Sequence, residues 1–179
     1  MKIYRIWPAE NIKTFKPSID TKENHQACQF DGSIIKNWEP VQLVAKEPYK
    51  NNVEILTDLS FVEMCTPLIS QRAFEILYPY LKHYAQFLET TTEFGNMYLV
   101  NIFNVNNCVD IEKSDIEYFR CSGRLKRINK YVFKANSFKD IELFKTPEDY
   151  NSYPFASEGL KNIIEENGLN GFRFELLSE

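Results

Sequence analysis

The alternation of apolar and polar residues at the start of the chain is typical of a β-strand. Residues 3–7 follow this pattern, and Pro8 ends it because proline cannot donate to a sheet ladder. The polar, irregular residues 8–35 predict a long surface excursion. Further strands are predicted where β-branched and aromatic residues gather between turn signals, at residues 38–44, 61–69, 86–92, 97–105, 114–119, 128–135 and 141–144.

Two helices are predicted from apolar residues at helical spacing. The first is expected to begin after Ser70, a suitable N-cap, with apolar positions at Ala73, Phe74, Leu77, Tyr80, Leu81 and Tyr84. Pro79 lies inside this pattern and removes a ladder hydrogen bond, so we expect a kink there or a helix end near Tyr78. The second helix is expected to begin after Ser157 and to contain Leu160, Ile163 and Ile164.

The C-terminal residues predict how the second helix ends. Gly168 lies where a left-handed residue is needed, and Leu169 can fold back as the apolar residue of a Schellman motif. Gly171 then leads into a strand with one shared face formed by Phe172, Phe174 and Leu176. The order of elements predicts an α+β fold with a largely antiparallel sheet and two main helices.

Length and charge restrict the class of protein. The chain has 179 residues, which fits one domain spanning residues 1–179, and its 44% hydrophobic content is too high for a disordered segment. A net charge of −4 argues against a dedicated nucleic-acid binder, because such proteins gain affinity by neutralising phosphates with lysine and arginine. The same charge argues against a polybasic membrane anchor and is compatible with docking onto a basic protein.

The N-terminus and the cysteines predict the compartment. The chain starts without the long apolar stretch of a signal peptide, and no run approaches the roughly 20 apolar residues that cross a bilayer. The four cysteines are scattered without a C-x-x-C pair, which predicts free thiols at Cys28, Cys65, Cys108 and Cys121. We therefore expect a cytoplasmic protein without membrane association.

The chain carries no self-sufficient set of catalytic, cofactor-binding or metal-binding residues. His25 and His83 form no H-E-x-x-H or H-x-x-x-H pair, and His83 suits the end of the first helix, where a protonated imidazole is favourable. No G-x-S-x-G, G-x-x-x-x-G-K-[ST] or G-x-G-x-x-G motif occurs. The residues leave open a Cys–His pair that is assembled only in space.

Four carboxylates lie close together in residues 108–119, at Asp110, Glu112, Asp115 and Glu117. Val109, Ile111 and Ile116 alternate with them, so on strands the acids face outward. Such a face suits a solvated strand, an acidic docking surface for a basic partner, or a metal or acid–base pair. We take the four acids and the adjacent Tyr118 as candidate partner-binding residues.

A basic run follows the acids around the turn signal Ser122-Gly123, at Arg120, Arg124, Lys126, Arg127 and Lys130. The run predicts a hairpin tip that compensates the adjacent acids. The alternative is an RNA-associated module in which Tyr118, Phe119 and Tyr131 stack on bases.

Several local patterns occur together in a defined order. They are MKIY at residues 1–4, Asp31-Gly32, Trp38, PLIS at 67–70 before a helix, YLVN at 98–101, VDIEKS at 109–114, YVFK at 131–134 and IEENGLNGFRF at 164–174. In this order, from Met1 to Phe174, they resemble a family of small bacterial proteins first catalogued as a domain of unknown function. Members of that family are mostly interpreted as immunity proteins of polymorphic toxin systems.

The resemblance implies a cytosolic protein that binds and neutralises a cognate toxin encoded beside it, without catalysis or a cofactor. The shared motifs look structural, so they do not locate the toxin-binding surface. The alternative function is a small hydrolase or transferase with a spatially assembled Cys–His or carboxylate site. Aromatic side chains could also serve self-association, which leaves a homo-oligomer open.

Overall fold

A computed structural model describes residues 2–19, 28, 30–48, 53–63, 65–135, 137–140 and 142–178. Within these residues the chain has two helices and mostly strands (41% strand and 14% helix), so the α+β fold is weighted toward β. The helices are α1 (Gln71–Leu81) and α2 (Glu158–Glu166). The strands are β1 (Ile3–Pro8), β2 (Phe15–Pro17), β3 (Leu43–Ala45), β4 (Leu59–Val62), β5 (Thr66–Ser70), β6 (Ala85–Thr92), β7 (Gly95–Ile102), β8 (Asp115–Tyr118), β9 (Leu125–Lys130), β10 (Leu143–Phe144), β11 (Phe155–Ser157) and β12 (Phe172–Ser178).

The strands of the described residues form three separate sheets. A four-stranded antiparallel sheet has the order β10-β11-β1-β12, and a six-stranded sheet has the order β3-β2-β4-β5-β7-β6. Strands β8 and β9 form a hairpin of their own. Pairing between the strands is largely antiparallel, as predicted, and Phe15 of β2 pairs parallel with Val62 of β4. Isolated parallel bridges also join Ile12 to Ile55, Gln42 to Thr91 and Val105 to Lys145.

The two edges of the six-stranded sheet approach each other. Gln42 bridges to Thr91 of β6, and the indole Nε1 of Trp38 donates to the Glu89 carbonyl at 2.7 Å. The Thr90 hydroxyl donates to the Val41 carbonyl. These contacts curl the sheet into a nearly closed barrel around the buried side chains of Phe15, Cys28, Leu43, Val62, Leu68, Leu88, Met97 and Leu99.

Two further apolar clusters hold the four-stranded sheet in place. One face of this sheet packs on the helices and on the outside of the barrel, through residues such as Ile6, Leu59, Leu77 and Leu160. The other face packs under the β8–β9 hairpin, with buried side chains at Ile3, Cys108, Val109, Ile128, Tyr131, Phe144 and Phe155. The sheet is therefore covered on both faces. None of the helices in the described residues is long and apolar enough to cross a membrane.

The first helix begins as predicted and ends later. The Ser70 hydroxyl accepts a hydrogen bond from the Ala73 amide at 3.1 Å, which confirms the N-cap. The expected end near Tyr78 is wrong, because α1 continues through Pro79 to Leu81. The proline falls in the last turn and costs one ladder hydrogen bond, while burial of Leu81 in the core stabilises that turn.

The second helix begins after Ser157 and ends as predicted, but the capping hydrogen bond at its start is missing. Gly168 has φ +62°, and the amide of Leu169 donates to the Ile164 carbonyl at 3.0 Å, which confirms the Schellman motif. The expected N-cap bond of Ser157 is absent. The Ser157 hydroxyl instead donates to the Asp140 carbonyl at 2.8 Å and accepts from the Glu142 amide at 2.9 Å, so it ties β11 to the chain before β10.

Two strand predictions need correction. Residues 61–69 are two antiparallel strands, β4 and β5, joined by a turn at Glu63 with φ 53°. Residues 38–44 yield only the short β3 at Leu43–Ala45. Phe172, Phe174 and Leu176 share one face of the regular ladder with β1, as predicted, although Leu176 is 43% exposed. The register shift that follows Leu176 places Leu177 against the cluster under the hairpin.

Candidate functional site

The predicted acidic segment lies in the β8–β9 hairpin and in the turn before it. Asp115 is opposite Lys130 in the hairpin register, and Glu117 is opposite Arg127. Two register shifts interrupt the ladder, which increases the twist of the hairpin. Ile116 and Leu125 pack against the cluster beneath the hairpin and so attach it to the four-stranded sheet.

Asp110 belongs to the turn rather than to a strand face. Its carboxylate accepts a hydrogen bond from the Lys113 amide at 3.3 Å and forms an ion pair with the Lys113 amine at 2.9 Å. Hydrogen bonding to Lys113 lowers the pKa of the Asp110 carboxyl. Ser114 closes the same turn, since its amide donates to the Asp110 carbonyl at 3.0 Å. Asp110 therefore shapes the approach to β8.

Glu117 is compensated by the facing strand. The Lys126 amine lies 2.6 Å from one carboxylate oxygen of Glu117, and Nε of Arg127 lies 2.7 Å from the other. The hydrogen bonds from Lys126 and then Arg127 lower the pKa of the Glu117 carboxyl. The prediction that the basic run compensates the adjacent acids is confirmed for these two bases.

The other three candidate residues remain available to a partner. Glu112 and Asp115 are exposed, and neither carboxylate forms a hydrogen bond or an ion pair within the described part of the chain. Tyr118 is 47% exposed and the next residue, Phe119, is 51% exposed. The hairpin thus presents two adjacent aromatic rings close in sequence to two uncompensated carboxylates.

The tip of the hairpin is an ordered turn. The Phe119 amide donates to the Arg124 carbonyl and the Gly123 amide donates to the Phe119 carbonyl, both at 2.9 Å. Gly123 has φ +64°, in the left-handed region that glycine adopts without a steric penalty. The backbone that carries Phe119 is therefore held in one geometry.

A partly buried cluster of charged and aromatic side chains lies beneath the hairpin, and no pattern in the sequence predicted it. The Arg5 guanidinium is 4.8 Å from the ring centre of Tyr131 and 4.9 Å from that of Phe155. It donates to the Tyr131 hydroxyl and to the Asp149 carboxylate. Burial raises the pKa of the Tyr131 phenol, so the phenol stays protonated. Residues so distant in sequence meet only through the fold.

This cluster forms one wall of an open groove of about 340 Å³. Strand β9 and the residue after it form another wall, from Ile128 to Tyr131, and β12 contributes Glu175, Leu176 and Leu177. The Trp7 indole Nε1 donates to the Glu175 carboxylate at 2.6 Å, which fixes both side chains at the rim. Charged, aromatic and aliphatic side chains therefore line the groove together.

Cys28 and Cys108 are packed in the core, whereas Cys65 is partly buried and Cys121 is exposed. All four thiols are free. Burial raises the pKa of Cys28 and of Cys108 to about 12, and it also raises the pKa of Cys65. The Cys65 thiol donates to the Asn151 carbonyl at 3.1 Å. Thiols with raised pKa values are poor nucleophiles at neutral pH.

The histidines do not complete a catalytic pair within the described residues. His83 is exposed just beyond α1, and no hydrogen bond joins a described histidine to a cysteine. His25 lies outside the described residues. In the same part of the chain, no group of three or more His, Cys, Asp or Glu side chains could hold a metal ion.

Lys145 is the buried amine that a covalent mechanism could use. Its amine donates to the Tyr150 carbonyl at 2.8 Å and lies 4.8 Å from the centre of the Tyr150 ring. Burial lowers the pKa of Lys145. Lys145 is only 6% exposed, so its amine does not face solvent. Its hydrogen bond to Tyr150 instead stabilises the 3₁₀ turn Pro147–Asp149.

Most of the chain matches one protein family. The model of the immunity protein family Imm11 matches residues 16–179, so the chain belongs to this family. The resemblance to immunity proteins is thereby confirmed, although the match begins later than the predicted start at Met1. No curated protein sequence matches the chain. Family membership suggests a non-enzymatic inhibitor.

Proposed function

We propose that this protein is an immunity protein that neutralises a cognate bacterial toxin by binding it directly. The family match over residues 16–179 is the observation that carries the proposal. The net charge of −4 supports a basic partner, because opposite charges steer association and raise its rate. An antidote needs fast association to capture the toxin before it acts.

The hairpin is the contact surface that the geometry supports best. Tyr118 and Phe119 are exposed rings on an ordered turn, and rings of this kind anchor interfaces at low entropic cost. Glu112 and Asp115 supply the uncompensated negative charge. Asp110 and Glu117 support this surface indirectly, since their carboxylates hold the turn and the hairpin through Lys113, Lys126 and Arg127.

Co-expression with the protein encoded by the neighbouring reading frame tests the function. We expect this protein to restore growth of cells that produce the toxin and to co-purify with it as a complex. No protection and no complex would refute the proposed function, whatever surface is involved.

A pair of tyrosine variants tests the surface. Tyr118→Ala is expected to raise the toxin Kd by about thirtyfold, the effect of losing a hot-spot side chain worth about 2 kcal/mol. Tyr80→Ala on α1 is the matched control, because Tyr80 is 43% exposed and Tyr118 is 47% exposed. Calorimetry or biolayer interferometry gives both Kd values. Equal losses in the two variants would remove the hairpin from the interface while leaving the function intact.

Stoichiometry separates a binder from an enzyme. A direct inhibitor protects only when its concentration reaches that of the toxin, whereas a hydrolase or transferase protects at a small fraction of it. We expect residual toxin activity to fall linearly with added protein and to vanish at a fixed molar ratio. Protection far below equimolar concentration would favour the enzymatic alternative.

A further inference from the structure

Strand β12 leaves one edge of the four-stranded sheet unpaired. It is seven residues long and hydrogen-bonds to β1 on one side. No backbone hydrogen bond reaches its outer side from any other described residue. The opposite edge, β10, is covered, since the Lys145 amide that follows it donates to the Asn104 carbonyl at 3.0 Å. A long uncovered edge is a template for a further strand.

The regular part of this edge is centred on one residue. The ladder with β1 runs without interruption from Phe172 opposite Pro8 to Leu176 opposite Tyr4, and the register shift follows. The straight section is therefore Phe172–Leu176, with Phe174 at its centre. Beyond it the shift distorts the strand, so a partner strand would pair with this section.

The charges along the straight section are complementary to themselves. When a strand pairs antiparallel with its own copy, the twofold axis passes through a residue position rather than between two residues. The reason is that two opposed residues must both direct their N–H and C=O groups toward the partner strand, or both direct them away from it. With Phe174 at the centre, Arg173 of each copy lies opposite Glu175 of the other. A centre at Arg173 or at Glu175 instead places like charges opposite each other, which is destabilising.

The same register also covers exposed apolar surface. It places Phe172 of one copy opposite Leu176 of the other, and Leu176 is 43% exposed in the single chain. Cross-strand pairs of an aromatic and an aliphatic side chain stabilise antiparallel sheets. Charge and apolar pairing therefore favour one register.

We propose that β12 pairs with β12 of a second copy, antiparallel and centred on Phe174, so that two four-stranded sheets form one continuous sheet. The surface belongs to a different element from the hairpin of the proposed function. Loss of the dimer and loss of toxin binding can therefore be measured separately.

Charge reversal tests this register in the full-length chain. Sedimentation velocity and light scattering should give a dimer for the native protein at micromolar concentration. Arg173→Glu places carboxylates opposite carboxylates, and Glu175→Arg places guanidinium groups opposite guanidinium groups. Each variant alone should dimerise at least tenfold more weakly. An equimolar mixture of the two should recover the dimer, because both cross-strand pairs are then of opposite charge.

The control is Arg124→Glu, which makes the same charge change at the exposed hairpin tip and should remain dimeric. Thermal melts check that each variant is folded, since Glu175 also accepts the Trp7 hydrogen bond. Should Glu175→Arg not fold, hydrogen exchange takes its place. The outward amides of β12 should be protected in the native protein and exchange faster in Arg173→Glu.

Three results would overturn the proposal. The first is a native protein that stays monomeric at 100 micromolar. This result would also overturn the proposal if the β12 amides became protected from exchange only when toxin is added. The second is a dimer whose mass and β12 exchange are insensitive to Arg173→Glu. The third is a mixture of the two folded variants that stays monomeric.

Discussion

Replacement of Gly171 by alanine is expected to destabilise the contact between β12 and β4. Gly171 has φ +116°, and an added Cβ would lie 1.7 Å from the Leu59 carbonyl oxygen and 2.6 Å from the Thr57 hydroxyl. The surrounding backbone cannot easily move away. The Leu59 amide donates to the Asn170 carbonyl, and the Ala9 amide donates to the Gly171 carbonyl, both at 2.9 Å.

The expected loss of stability has two parts. Holding a side-chain-bearing residue in this backbone region costs about 1–3 kcal/mol. Overpacking of a tight contact costs about another 1–3 kcal/mol. The sum is roughly 2–6 kcal/mol, and a domain of this size loses about 2–4 °C of melting temperature per kcal/mol. Gly171→Ala should therefore melt at least several degrees below the native protein.

Gly95→Ala separates the two parts. Gly95 has a similar φ of +107°, but a Cβ added there meets no atom within 4 Å, so the variant carries only the backbone cost. Urea unfolding and calorimetry of the three proteins give the free energies of unfolding and the melting temperatures. If Gly171→Ala is no less stable than Gly95→Ala, the close approach to the Leu59 carbonyl does not have the energetic effect assigned to it.

Two more predictions concern the N-cap of α1 and the buried thiols. Ser70→Ala should lower the free energy of unfolding by about 1 kcal/mol, because it removes the hydroxyl that accepts a hydrogen bond from the first turn of α1. The control Ser122→Ala, at the exposed hairpin tip, should not lower it. Equal unfolding curves for the two variants would contradict the capping role. Because the pKa of Cys28 and of Cys108 is about 12, roughly one of these thiols in 10⁴ is ionised at pH 8. Both should resist alkylation in the native protein and react after unfolding, whereas the exposed Cys121 should react first. Peptide mass spectrometry measures the extent of alkylation at each cysteine.

The elements that could be predicted depend on nearby residues. The N-cap at Ser70 and the Schellman end at Gly168 each follow from groups within a few positions along the chain, and both were confirmed. Ser157 occupies the predicted N-cap position, but its hydroxyl does not bind the first turn of α2 because tertiary contacts take it. The hydroxyl donates to the Asp140 carbonyl and accepts from the Glu142 amide.

The sequence predicted that acidic and basic residues cluster at the candidate site. It did not predict which of the carboxylates are left without an ion-pair partner. The acids of residues 110–117 stand out in the sequence, and so do the bases that follow them. Which acids are compensated depends on the register of the hairpin, since that register places Lys126 and Arg127 around Glu117. Glu112 lies before the hairpin, and Asp115 is opposite Lys130 but forms no ion pair with any described residue.

The sequence by itself determined the strand at the N-terminus, the two helices, the helix-to-strand tail and the family, because each depends on local hydrogen bonds, on spacing or on the order of short motifs. Only the tertiary structure decided that the six-stranded sheet curls into a barrel and that Arg5 meets Asp149 and Tyr131 under the hairpin. It also decided that β12 remains an open edge. Such features depend on which distant segments pack together, and side-chain periodicity carries no information about that choice.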